Sequence, residues 1–110
     1  VPKGYTARQN LQTAAVATGN GTPMDVSGFR WLGIQVVGIT SATITWEATI
    51  DGTNWFGILA SPPSTGTGAL TTTADGVFRV DVAGLAAFRA RISTWVSGTI
   101  NVIALASTET

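Results

Sequence analysis

Asp25 and Asp81 occupy equivalent places in a repeated Asp-Val-x-Gly. Two carboxylates that converge can divide the work of a general acid and a general base. The simpler reading of the same residues is a strand exit and a turn that glycine permits, with each aspartate bonded to nearby backbone. Serine nucleophiles have nothing to activate them, because the chain contains no histidine. Cysteine is absent as well, which removes thiolate chemistry, disulfides and thiolate metal ligands. No glycine-rich phosphate loop precedes a helix. The stretch DGTNW (51–55) offers one acidic oxygen donor, Asp51, where a calcium loop needs several. Its tryptophan could be a sugar platform, and the stretch loosely resembles an Asp-box turn, but Asp-Gly is above all a hairpin corner. We therefore expect no catalytic residue, no cofactor and no metal site.

Arg89 and Arg91 remain as the residues with chemistry to offer. They share one face of a strand, opposite Ala90 and Ile92, while Arg79 and Asp81 alternate with Phe78, Val80 and Val82. Cross-strand Arg–Asp pairs on a solvated face would contribute little. Alternatively, the guanidinium forks face the carboxylates and carbonyls of a neighbouring protein.

The composition favours contacts over chemistry. The 110 residues suffice for one domain. Six basic and six acidic side chains give zero formal charge, and only 11% of residues are charged. A free-standing small domain usually keeps about a quarter to a third of its surface charged. Here 18 threonines take the polar positions, and the mean hydropathy is +0.31. Such a surface is weakly protected against association, so partners are expected to cover much of it. A nucleic-acid groove would need clustered lysine and arginine, and Lys3 is the single lysine. No apolar run approaches the roughly 18 residues of a membrane span, so neither nucleic acid nor membrane is an expected partner. The start, VPKGYTARQN, lacks a signal-like apolar core.

The elements that position these residues are strands. SATITWEATI (41–50) alternates, with Ala42, Ile44, Trp46, Ala48 and Ile50 on one face. FRWLGIQVVG (29–38), GVFRVDV (76–82), AFRARISTW (87–95) and GTINVIALA (98–106) also read as strands. A helix over 83–92 is the competing reading, and an internal repeat decides against it. Residues 25–50 align without a gap on 81–106, with Asp25/Asp81, Val26/Val82, Gly28/Gly84, Ser41/Ser97, Thr43/Thr99, Ile44/Ile100 and Ala48/Ala104 identical.

Two related hairpin halves, joined through SPPSTGTG (61–68), imply an all-β antiparallel β-sandwich, Ig-like or jelly-roll-like, of about 7–8 strands. Residues 25–110 form the sandwich. Residues 1–24 read as an N-terminal arm with a possible edge strand at 11–17. An even hairpin loop at Asp51 directs Trp55, Gly57 and Leu59 to the core and Phe56 and Ile58 outward. Trp31 and Trp95 sit at comparable depth, one core and one exposed in an order that period two leaves open.

The stretch ATITWEATIDGTNWFGI (42–58), followed by DGVFRVDVAGLAAFRARISTWVSGTINVIALAS (75–107), resembles small β-sandwich virion structural proteins of tailed bacteriophages. The shared pattern is a DGTNW-type hairpin, G-x-F-x-V-D-V-x-G (76–84), Arg-x-Arg (89–91) and S-G-T-I-x-V (97–102). The resemblance covers about residues 26–107. It implies a virion location and a passive, non-enzymatic role as a capsid decoration (cement) protein, with the major capsid protein or other virion proteins as partners and a homo-oligomer as the assembly. A tail, neck or fibre module is the alternative, and a carbohydrate-binding β-sandwich a further one. The expected interface residues are Tyr5, Arg8, Phe56, Ile58, Arg89 and Arg91.

Overall fold

The computed structural model describes residues 5–108, so residues 1–4 of the expected arm lie outside the described residues. The order is β1 (Thr6–Ala15), β2 (Met24–Asp25), β3 (Trp31–Thr49), β4 (Phe56–Gly57), β5 (Thr71–Thr72), β6 (Gly76–Asp81) and β7 (Ala87–Ser107). All pairings between them are antiparallel. The chain is all-β, and its strands form one continuous sheet folded over on itself.

Two long strands make the fold. The first half of β3 pairs with β6 and with the second half of β7, which in turn pairs with β1. The second half of β3 pairs with the first half of β7, flanked by β2 on one side and by β4 and β5 on the other. Each half is one layer of the sandwich. FRWLGIQVVG and SATITWEATI are thus not two arms of a hairpin, as expected, but one bent strand that crosses between layers; the second copy behaves likewise. The reason lies at Gly38 and Gly98, whose φ of 100° and 118° suit glycine. Register shifts between Val37 and Ala42 absorb the bend. Asp75 fixes it, accepting the N–H of Gly38 at 3.0 Å and of Ile39 at 2.8 Å.

The repeat appears in space as a local two-fold. Val26 N–H donates to Ala86 O and Val82 N–H to Arg30 O, both at 2.9 Å, and each bond becomes the other when the two copies of the repeat are exchanged. Met24 pairs with Phe88 as Val80 pairs with Leu32. Both Asp-Val-x-Gly stretches are turns: Asp25 accepts the Ser27 N–H, Asp81 accepts the Ala83 N–H, and Gly28 and Gly84 adopt φ of 82° and 83°. The helix reading of 83–92 fails because Ala83–Ala86 is this turn and the strand begins at Ala87.

Alternation fills the interior. Leu32, Ile34 and Val36 meet Ala106, Ala104 and Val102 in one layer; Ile44, Trp46 and Ala48 meet Ile92, Ala90 and Phe88 in the other. Trp46 joins the layers, its ring centroid 5.2 Å from Phe78 on β6 and 6.2 Å from Phe88 on β7. The edge strand begins at Thr6, so residues 6–10 of the expected arm are sheet. A bulge after Asn10 turns both Leu11 and Gln12 inward. The Gln12 amide donates to Ala90 O at 2.8 Å and to Gly19 O at 3.2 Å, tying β1 to the opposite layer.

Candidate interaction surface

DGTNW is a turn closed by its own first residue. Asp51 Oδ1 accepts the backbone N–H groups of Thr53 and Asn54, each at 2.8 Å, and Oδ2 accepts from the Asn54 amide at 2.7 Å. Gly52, at φ 81°, donates its N–H to the Thr49 hydroxyl at 3.0 Å. These bonds favour the ionised carboxylate. The N–H groups of Asn54 and then Thr53 are the largest causes, and together they hold Asp51 far below the usual carboxylate range. The sign follows. A depressed folded-state value adds stability above the unfolded value of about 4, lost only as pH falls towards the folded one. We expect the Thr53 and Asn54 amide resonances to hold their positions from pH 7 to pH 4. Movement of both with a midpoint near 4 would show that the carboxylate is not engaged.

The register after this turn differs from the expected one. Ala48 pairs with Phe56 and Glu47 with Gly57, an odd connection rather than an even one. Trp55 therefore leaves the core and stacks on the Arg89 guanidinium, 4.2 Å from ring centroid to carbon. Leu59, expected inside, is 58% exposed, whereas Ile58, expected outside, packs partly against the core. Seven residues, 49–55, lie between the paired positions, and the bonds of Asp51 to Thr53 and Asn54 and of Thr49 to Gly52 hold them in a loop that neither a two- nor a four-residue turn describes.

The six expected interface residues fall in three places. Arg89 and Arg91 lie on the outer face of the layer holding β4 and β5, and both bind Glu47: Arg89 at 2.8 Å to Oε1 and Arg91 at 3.2 Å to Oε2. The cross-strand pairing expected with aspartate is made with glutamate, because Glu47 stands opposite Arg89 in the register. Thr45, Thr43 and Ser93 continue this face, with a Thr45 to Ser93 hydroxyl bond of 2.9 Å. Phe56 and Ile58 line a cavity of about 450 Å³ at one end of the sandwich, with Ala48, Ile50 and Leu85 as its other apolar walls. Phe56 is 72% exposed. Tyr5 and Arg8 lie on β1 or next to it, both exposed, Arg8 opposite Leu105.

Trp31 and Trp95 are both half-buried, rather than one core and one exposed. Trp31 lies under the Arg30 guanidinium at 5.8 Å, and the Trp95 indole N–H donates to Gly98 O at 3.0 Å. Asp25 and Asp81, the two candidates for paired carboxylates, each accept hydrogen bonds within their own turns. The Ser27 hydroxyl and N–H hold Asp25 below its ordinary value. Among the described residues no acidic cluster could hold a metal ion. What the surface presents is apolar side chains, threonines and arginines, a repertoire for contact.

Fold and surface define an all-β antiparallel sandwich with a sparsely charged exterior. Residues 6–106 match the XepA family, and the chain belongs to it. Among solved structures it is similar to the SPBc2 prophage-derived protein YomS, with a TM-score of 0.90 and 16% identity over 97% of this chain and 96% of that one. It is also similar to the PBSX exported protein XepA, with a TM-score of 0.91 and 18% identity over 97% of this chain. The match spans 39% of the length of that longer protein. At these identities the likeness is one of fold. No curated protein matches the chain.

Proposed function

We propose that the chain is a non-enzymatic structural protein of a bacteriophage particle, and within that role a decoration protein that stabilises the head through protein–protein contacts. The observation that carries this reading is the surface. Tyr5, Val16, Ile50, Phe56, Leu59, Val77 and Val96 are each more than half exposed on a chain with few charges to keep it apart from its neighbours. Membership of the XepA family and the prophage origin in the name of YomS support the phage association. The partners are the major capsid protein or other virion proteins, together with further copies of the chain.

A tail, neck or fibre module is the second reading. It is favoured by the presence of the same sandwich as 39% of the longer exported protein, since such modules are built into longer chains. A glycan site is less well supported: Phe56 is an exposed ring, but Asp51 and Asn54 beside it are bonded to each other.

Immunogold labelling of purified phage particles tests the proposal, with light scattering for the mass of the free chain. Gold over the head together with an oligomeric mass is the expected result. Gold confined to the tail moves the assignment to the second reading, and particles without label overturn both.

A further inference from the structure

The two outer faces of the sandwich differ. One is lined by threonine, serine and the Glu47–arginine cluster. The other, formed by β6, β3, β7 and β1, carries an unexplained strip. The registers place Arg79 opposite Gly33, Gly33 opposite Leu105, and Leu105 opposite Arg8. These four residues form one row across four strands. Their sequence neighbours Val80, Leu32, Ala104 and Ala106 are buried, so the row itself faces solvent. Leu105 is 48% exposed, and so is Val37; Val77 is 54% exposed. Three strand spacings set the two arginines about 14 Å apart. Neither has a carboxylate within ion-pair distance among the described residues. Asp81, one row along, gives an oxygen to the Ala83 N–H.

Gly33 is the telling residue. Glycine inside a strand weakens it, and usually answers a left-handed φ, a bulge or a close approach. Gly33 has no positive φ, and its pairings on both sides continue without a shift. A Cβ there would meet only the Leu105 carbonyl oxygen, at an ordinary 3.8 Å. Nothing within the fold requires a glycine. What it leaves is a dent in the middle of an exposed row, walled by Leu105 and bracketed by two arginines that have no ion pair among the described residues.

We infer that this face is the docking surface for a different virion protein, one that seats an apolar side chain over Gly33 between two carboxylates that meet Arg8 and Arg79. A second copy set face to face brings arginine rows against arginine rows, so charge complementarity selects a foreign, acidic partner. This deepens the virion reading and rests on it.

The test uses particles purified from a phage deleted for the chain, mixed with the purified chain and sedimented together. Gly33→Val fills the dent with a good strand former whose Cβ meets nothing closer than the Leu105 carbonyl oxygen at 3.8 Å. Arg8→Glu with Arg79→Glu reverses the bracket, and Thr71→Glu changes an exposed residue on the opposite layer as a control. Expected are binding by the unaltered chain that weakens with salt, a loss of tenfold or more for Gly33→Val and for the double reversal, and less than twofold for Thr71→Glu. Binding unchanged in both face variants overturns this surface and leaves the virion role intact. No binding by the unaltered chain overturns the virion role itself. A drop in oligomer mass in the face variants makes the strip a self-contact and overturns the foreign partner.

Discussion

Replacement of Trp46 by alanine is expected to remove about 3–5 kcal/mol of stability, the usual loss for an aromatic-to-alanine truncation in a core. Trp46 is fully buried and touches rings from both layers, Phe78 on β6 and Phe88 on β7. Its truncation therefore opens a void between the layers rather than within one. Bends fixed at Gly38 and Gly98 limit how far the layers can collapse onto that void, which puts the loss at the upper end of the range. A domain of this size holds only about 5–15 kcal/mol in total, so the variant should unfold at far lower denaturant. Trp55 supplies the comparison. It stacks on Arg89 at the surface, and Trp55→Ala should cost only about 0.5–1 kcal/mol. Urea unfolding of both variants checks the pair. Equal losses would contradict the placement of the two tryptophans.

The second large effect belongs to Gly38. An alanine there would hold a left-handed φ of 100° and drive its Cβ into the Thr99 carbonyl oxygen, a backbone atom that cannot swing aside. Strain of the first kind alone costs about 1–3 kcal/mol. With the collision added, Gly38→Ala should lose on the order of 3 kcal/mol or more, among the larger effects known for single substitutions. Gly98→Ala should behave similarly, since a Cβ there would meet the Gly38 carbonyl oxygen across the same bend. Gly28→Ala provides the contrast: φ is 82° but nothing lies near the added carbon, so only the conformational strain applies. Thermal unfolding of the three variants should rank Gly28→Ala mildest. A Gly38→Ala protein as stable as the parent would mean that the layers are not joined through this bend.

Much of this architecture was legible in the order of residues. Period two assigned Ala42, Ile44, Trp46 and Ala48 to the interior because both layers cover that face. The repeat overruled a helix at 83–92, and Asp-Val-x-Gly read correctly as a turn because aspartate bonding and a left-handed glycine are local chemistry. The bends were not legible. A glycine at 38 or 98 permits a hairpin turn as readily as a bulged crossing, and only the pairing of β3 with β7 along its whole length distinguishes them. Trp55, Ile58 and Leu59 were misassigned for a related reason. Parity beyond a loop depends on how many residues the loop consumes, and the Asp51 side chain, not the Asp-Gly pair alone, determined that. Arg89 and Arg91 could be placed on one face, but their shared partner Glu47 depended on a long-range register. The three-way scatter of the expected interface residues has the same origin, since local pattern carries no information about which layer a strand joins.

Thr6 stands opposite Ser107, and Tyr5 and Thr108 exchange two further bonds at 3.0 and 2.8 Å. The chain thus enters and leaves the sandwich side by side. Tension applied at these two points would part β1 from β7 one rung at a time, as a zipper opens, without ever loading the ladder in shear. A push spread over a face would instead be shared by every rung of both long strands. The sandwich is a tile that resists load across its faces better than tension between Thr6 and Ser107.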